Sequence, residues 1–198
     1  MASLGLTLPD NAVQGMLDYL ELLARWNRTY NLTAVRDASQ MVTRHLLDSL
    51  AILPHVRGRT LADLGSGAGL PGLVLAIADR SLAVTLVDAN GKKTRFQREA
   101  VRALGLQHVQ AVQARVEDMQ GSFDCITARA FASLPDMLAW GGHLLAGNGR
   151  WLAMKGRRPG PELDALPDGF RLLEEHALAV PGLDARRHLL VLARSGAA

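Results

Sequence analysis

The chain has 198 residues, 48% hydrophobic and 21% charged, which is the make-up of a globular domain with one good core and excludes a disordered or fibrous chain. A formal net charge of +3 is mildly basic, which suits RNA without demanding it. The lone Cys125 excludes a disulfide framework and a multi-cysteine metal site. No basic start leads into a long apolar stretch, and no apolar run approaches the roughly 18 residues of a membrane span. These features predict a cytoplasmic protein with neither membrane anchor nor metal; a monomer is expected, although no feature of the sequence fixes the oligomeric state.

Val13, Met16, Leu17, Leu20 and Leu23 recur at three- and four-residue steps, predicting an amphipathic helix capped by Asp10 and running to about Arg28. A polar loop around Asn31 and Thr33 follows. Ser39 is the expected cap of a second helix carrying Val42, Leu46, Leu50 and Leu53, which Pro54 ends. His45 and Asp48 stand three residues apart on it and share a face, where they could bond to each other. Residues 1–55 are thus expected to be a helical appendage, and a polar network fastening it to the remainder is a slightly better reading of His45 and Asp48 than contact with a substrate. His45 lacks the companion ligands of a metal site.

From Thr60, short apolar runs alternate with amphipathic segments: Leu61 to Leu64, Ala83 to Val87, Val109 to Val112, Phe123 to Thr127 and Trp151 to Met154. That is the signature of a parallel sheet with crossover helices. Phe170 to Val180 and Arg187 to Ala193, joined at Pro181-Gly182, have no room for a crossover and predict an antiparallel pair at the sheet edge. The fold expected for residues 56–198 is therefore α/β and Rossmann-like, a mixed seven-stranded sheet with an antiparallel C-terminal edge, as in S-adenosylmethionine-dependent methyltransferases.

Asp63-Leu-Gly-Ser-Gly-Ala-Gly-Leu-Pro-Gly72 lies between the first strand and a helix, and Pro71 suits that helix's first position. Gly65, Gly67 and Gly69 are more glycines than a turn needs and predict close approach of backbone to a ligand. Gly67, Gly69 and Gly72 also satisfy the dinucleotide pattern, with Asp88 about 20 residues on to accept ribose hydroxyls. An NAD-dependent oxidoreductase is therefore the first alternative. Too few residues follow the sheet for a separate substrate domain, which favours methyl transfer. Asp88 could instead cap the helix beginning at Gly91. Val116 and Glu117 fall where an adenine-binding loop would lie, and Arg129 falls at the carboxyl edge of a strand. Trp26 and Trp151 read as core residues, whereas Trp140 is undecided.

Trp26-Asn27, Asn31-Leu32-Thr33, His45-Leu-Leu-Asp-Ser-Leu50, the Asp63–Gly72 loop, Ala128-Arg-Ala-Phe-Ala-Ser-Leu134 and Met154-Lys-Gly156 together resemble the small-subunit rRNA guanine-N7 methyltransferases, the glucose-inhibited division protein B family. The likeness runs in order from Trp26 to His188. It implies methyl transfer from S-adenosylmethionine to N7 of the guanine at position 527 of 16S rRNA, naked or in the small ribosomal subunit, in a bacterial cytoplasm. It also implies cofactor contacts at Gly65, Leu70, Val116, Glu117 and Arg129, and RNA-binding or catalytic roles for Arg115, Lys155 and Arg187. Asp63, Gly67, Gly69 and Asp88 join the expected cofactor site, and Arg129 and Lys155 the expected catalytic residues. One departure is Arg186, which stands where an acidic residue is expected before Arg187-His188.

Guanine N7 has an in-plane lone pair and no proton, so it can displace the sulfonium methyl without a general base, and no catalytic dyad is expected. Correct placement of reactants alone can lower such a barrier by about 7 to 11 kcal/mol at the upper limit. An RNA helix has a deep, narrow major groove, so the base must be single-stranded, bulged or turned out. The second alternative is an RNA-binding assembly factor that keeps the fold without the activity.

Overall fold

The computed structural model describes residues 4–129 and 132–196; the Ala130-Phe131 part of the Ala128–Leu134 motif lies outside them. Among the described residues, seven strands form one sheet: β1 (Thr60–Leu64), β2 (Ala83–Asp88), β3 (Val109–Gln113), β4 (Phe123–Arg129), β5 (Leu145–Lys155), β6 (Phe170–Ala177) and β7 (His188–Arg194). Their spatial order is β3-β2-β1-β4-β5-β7-β6. The first five are parallel, and β7 inserts antiparallel between β5 and β6. The order of strand addition reverses between β1 and β4, the place where open α/β sheets bind ligands at their carboxyl edge.

Helix α1 (Ala12–Tyr30) buries Met16, Tyr19, Leu20, Leu23 and Asn27 and leaves Val13 and Leu17 exposed. The buried stripe is centred on Tyr19, so Val13 and Leu17 fall on its flank although both fit the apolar spacing. The cap position is Asn11, not Asp10, and no side chain bonds there. Asn31 closes the helix in the left-handed conformation (φ 50°), which asparagine tolerates better than most residues.

The second helix, α2 (residues 38–50), runs through Ala38–Met41, a π-helical Val42–Leu47 and Asp48–Leu50. Asp37 rather than Ser39 caps it, accepting the Gln40 N–H at 2.9 Å. The wider π turn rotates the stripe, so Val42 faces solvent while His45, Leu46, Asp48, Ser49 and Leu50 are buried. Pro54 does not end α2; it sits in the separate turn Leu53–His55.

Helices α3 (Gly72–Ala78), α4 (Gly91–Ala103), α5 (Leu134–Gly141) and the short α6 (Gly160–Asp164) complete the chain. Pro71 occupies the cap of α3, after a cis Leu70–Pro71 bond, and not its first position. Two apolar clusters cover the two faces of the sheet. One gathers Met16, Tyr19 and Leu23 of α1 and Leu46 and Leu50 of α2 with Leu73, Phe96 and Val191. The other centres on Trp151, Met137 and Leu138. Buried side chains such as Leu23 and Leu50 contribute about 1.5–3 kcal/mol each, and through them α1 and α2 join the apolar cluster on one face of the sheet.

Candidate active site

Gly65, Gly67 and Gly69 all have positive φ (66°, 58° and 84°), which is costly for any residue with a Cβ. At Gly69 a Cβ would also fall 2.3 Å from Leu73 Cδ1. The turn is tied down from four directions. Ser66 N–H donates to Val87 O at 3.0 Å. Asp88 Oδ2 accepts the Gly67 N–H at 2.9 Å, and Asp63 Oδ2 accepts the Gly72 N–H at 2.8 Å. Gln97 of α4 donates to Ser66 Oγ and Gly67 O, both at 2.8 Å, while Tyr19 of α1 donates its hydroxyl to Ala68 O at 2.8 Å. Burial raises the Tyr19 phenol far above its usual range, so it remains a donor.

Two hollows meet at Gly65. The first, of about 420 Å³, is lined by Asp88, Lys93, Arg115, Val116, Glu117 and Trp140. Asp88 spends one oxygen on Gly67 and the other on the Asn90 N–H at 2.9 Å, with Lys93 Nζ at 3.6 Å. A carboxylate offers about four acceptor positions, so two remain for ribose hydroxyls. Asp88 is not the cap of α4; Asn90 is, accepting the Lys92 N–H. Arg115 and Glu117 are exposed on the loop after β3, and Val116 is buried beneath it.

The second hollow, of about 530 Å³, is lined by Thr33, Arg44, His45, Asp48, Leu70, Arg129, Met154, Lys155 and Arg187. His45 and Asp48 do not bond to each other. His45 Nε2 meets Thr33 Oγ1 at 3.0 Å, and Asn27 Oδ1 accepts the Thr33 N–H at 2.9 Å. Burial, reinforced by the Arg129 charge, lowers His45 to about 4, so its ring is neutral near pH 7. Asp48 binds two arginines: Arg129 Nη1 reaches Oδ2 at 3.2 Å, and Arg187 Nε reaches Oδ1 at 2.8 Å. Arg129 also donates to Arg44 O at 3.1 Å.

Lys155 lines this hollow, yet its ammonium is spent on Ala132 O and Glu162 Oε2, both at 2.8 Å. Glu162 accepts in turn the Leu134 N–H at 2.6 Å. Lys155 therefore holds the segment after β4 to α6. Asp63 lies outside both linings and is fully buried; desolvation raises it to about 7, and its Oδ1 has no partner. It shapes the glycine turn from below. Arg186 is exposed, and its carbonyl accepts Arg187 Nη1 at 3.0 Å.

The sequence favours packing only slightly over substrate contact for Asp48 and leaves Trp140 undecided, and it gives no sign of Tyr19 or Gln97 as parts of the site. Asp48 shares an acidic, helical context with many solvated carboxylates, and only the fold reveals that two arginines from strand ends converge on it. Tyr19 and Gln97 had no motif to betray them. Trp140, next to Gly141, faces the first hollow.

The residues fit S-adenosylmethionine. A turn stripped of Cβ atoms runs between a hollow ending on an anchored acid and a second hollow rich in arginine. The model for rRNA small subunit methyltransferase G (GidB) matches residues 12–190. The chain is 56% identical over 179 residues to the ribosomal RNA small subunit methyltransferase G of Xanthomonas campestris pv. campestris strain 8004, covering 89% of this chain and 84% of that one. It is 55% identical over 196 residues to the protein of the same name from Chromohalobacter salexigens, covering 98% and 94%. TrmN from Thermus thermophilus shares the fold at TM-score 0.62 and 23% identity, across 74% of this chain and 48% of TrmN. Coclaurine N-methyltransferase bound to N-methylheliamine and SAH does so at 0.58 and 15%, across 74% and 52%. The oxidoreductase reading and the inactive-factor reading both yield to these likenesses, and the chain belongs to the rRNA small subunit methyltransferase G family of S-adenosylmethionine-dependent enzymes.

Proposed function

We propose that this enzyme methylates N7 of the guanine at position 527 of 16S rRNA in the bacterial cytoplasm, on the naked RNA or within the small subunit. The observation that carries this reading is the absence of a free general base among the described residues of the second hollow. His45 is neutral, weakly basic and bonded to Thr33. Asp48 is held by Arg129 and Arg187. Such a site suits a nucleophile with a lone pair and no proton to lose, and N7 of guanine is one.

S-adenosylmethionine supplies an electrophilic methyl group. The backbone of Gly65, Gly67, Gly69 and Leu70 would cradle the donor, Asp88 would accept its ribose hydroxyls, and Val116 and Glu117 would border its adenine. Arg129, in the lining of the second hollow, would contact O6 or the donor's carboxylate and must leave N7 free. Arg115 and Arg187 offer charge to the RNA backbone, and Lys155 secures the loop beside them.

The test is to incubate the enzyme and methyl-labelled S-adenosylmethionine with small subunits and, separately, with protein-free rRNA, and to map the labelled nucleotide. Label on N7 of guanine 527 is expected; label elsewhere, or none on either substrate, refutes the assignment. Titration with S-adenosylhomocysteine and with NADH checks the donor pocket, and only the first should bind.

A further inference from the structure

The outermost strand, β6, carries an irregularity that gathers three metal-binding side chains. Leu172 pairs with Leu192 and Glu174 with Val191, so Leu173 is an extra residue opposite no position of β7. A bulge of this kind re-aims the side chains that follow it. Leu190 and Leu192 belong to the Trp151 cluster, whereas Leu189 and Val191 belong to the other one. Glu174, opposite Val191, and His176, opposite Leu189, are thereby turned to the face covered by α1 and α2.

There they meet His55, from the turn after α2. The His55 and His176 rings are 4.2 Å apart between centroids, and His176 Nε2 stands 2.9 Å from Glu174 Oε2. One ligand atom from each of the three lies within 4.8 Å of the others. None of the three lines the hollows of the active site.

We propose that His55, Glu174 and His176 form a divalent transition-metal site, with zinc the best-matched ion, that staples the end of the helical layer to the edge strand. Two imidazoles and one carboxylate, with a fourth position left to water, are a familiar zinc donor set. Zinc–ligand bonds of about 2.0–2.2 Å place neighbouring tetrahedral ligands roughly 3.3–3.6 Å apart, a spacing close to the 2.9 Å between His176 Nε2 and Glu174 Oε2 and inside the 4.8 Å that bounds all three ligand atoms. Arg150 Nη1 donates to Glu174 Oε1 at 2.8 Å, so Oε2 is the oxygen that faces the imidazoles, an outer contact of the kind that orients ligands. Arg150 and Arg57 oppose any cation here, which favours an ion forming strong bonds to imidazole nitrogen over a hard ion such as magnesium. Burial and the neighbouring His176 hold His55 below the usual histidine range, and neutral imidazole is the form that binds metal. His176 and Glu174 keep about a third of their side-chain surface exposed (34% and 39%), which leaves a path for entry. The expectation of no metal rested on the single cysteine and on an isolated His45, and neither belongs to this cluster.

The chelator-treated protein is titrated with zinc chloride by calorimetry. One ion per chain is expected, lost in His55→Gln and His176→Gln, both of which keep S-adenosylhomocysteine binding as evidence of folding. At a hundredfold excess over Kd the melting temperature of the parent rises by about 5–10 °C, and that of the variants does not. Where a histidine variant fails to fold, Glu174→Gln takes its place. Saturable binding that survives in all of them marks an adventitious ion only, and that result, or no saturable binding by the parent, overturns the proposal.

Discussion

Replacing Asp48 with asparagine removes the charge that two arginines share while barely changing side-chain size. Asp48 is 2% exposed, and Arg129 and Arg187 are 23% and 24% exposed. Removing one partner of a fully buried ion pair costs about 3–5 kcal/mol. Both guanidinium groups keep a quarter of their surface in water and can be partly resolvated, which reduces the expected cost to about 2–3 kcal/mol. For a chain of this size that corresponds to a fall in Tm of about 4–12 °C. The interaction is isolated by repeating the substitution in an Arg129→Met, Arg187→Met background, where no cation remains to be stranded. Urea unfolding of the four proteins should show Asp48→Asn costing at least about 1 kcal/mol less in that background. Equal costs in both backgrounds would refute the clamp. Methyl transfer by the single variant should fall mainly in kcat, because Arg129 loses its anchor while the donor hollow is untouched.

Arg129→Ala should abolish measurable methyl transfer yet remain folded by circular dichroism; a pure variant with the parental rate removes Arg129 from the site. Arg115→Gln should weaken RNA binding and reduce the slope of log K against log salt by roughly 1, whereas Lys155→Gln should leave the slope unchanged and lower stability, because its ammonium is committed to Ala132 and Glu162. Asp63 is raised from 3.8 to about 7, so it favours the fold fully below about pH 4, and that contribution is lost as pH rises towards 7. The stability of the parent minus that of Asp63→Asn should therefore fall by up to about 4 kcal/mol across this window; parallel pH profiles from urea titrations would count against the buried carboxyl.

How much was legible in the sequence differs by element. The strand runs, the glycine turn and the antiparallel end were readable because short continuous apolar runs, buried on both faces of the sheet, and Gly-Pro punctuation are local signals. The ends of α1 and α2 were not, since Asn11 beats Asp10 and Asp37 beats Ser39 on geometry that any of these residues could satisfy. The π turn in α2 has no sequence mark, yet it decides that Val42 faces out and Asp48 faces in. Lys155 was placed at the site by resemblance, and the structure adds what spacing could not: Glu162 neutralises it. Asp63 sits in the motif, but its carboxyl points beneath the turn and not into the hollow.

These misses share a cause, and it bears on how the active site is held. Tyr19 of α1 bonds the glycine turn at Ala68, and Asp48 of α2 bonds arginines at the ends of β4 and just before β7. The helical layer is therefore a wall of the site rather than an attachment to it. A glycine turn alone has high conformational freedom, because glycine loses more entropy on folding than any other residue. Fixing it takes contacts from outside the strand–turn–helix unit, and here they come from Tyr19 and from Gln97. Arginines that must leave guanine N7 free face a similar demand, since an unanchored guanidinium would seek the same N7 and O6 edge that the reaction needs open. Asp48 holds Arg129 and Arg187 from behind, and in the proposed reaction that clamp would restrain two cations able to compete for that edge.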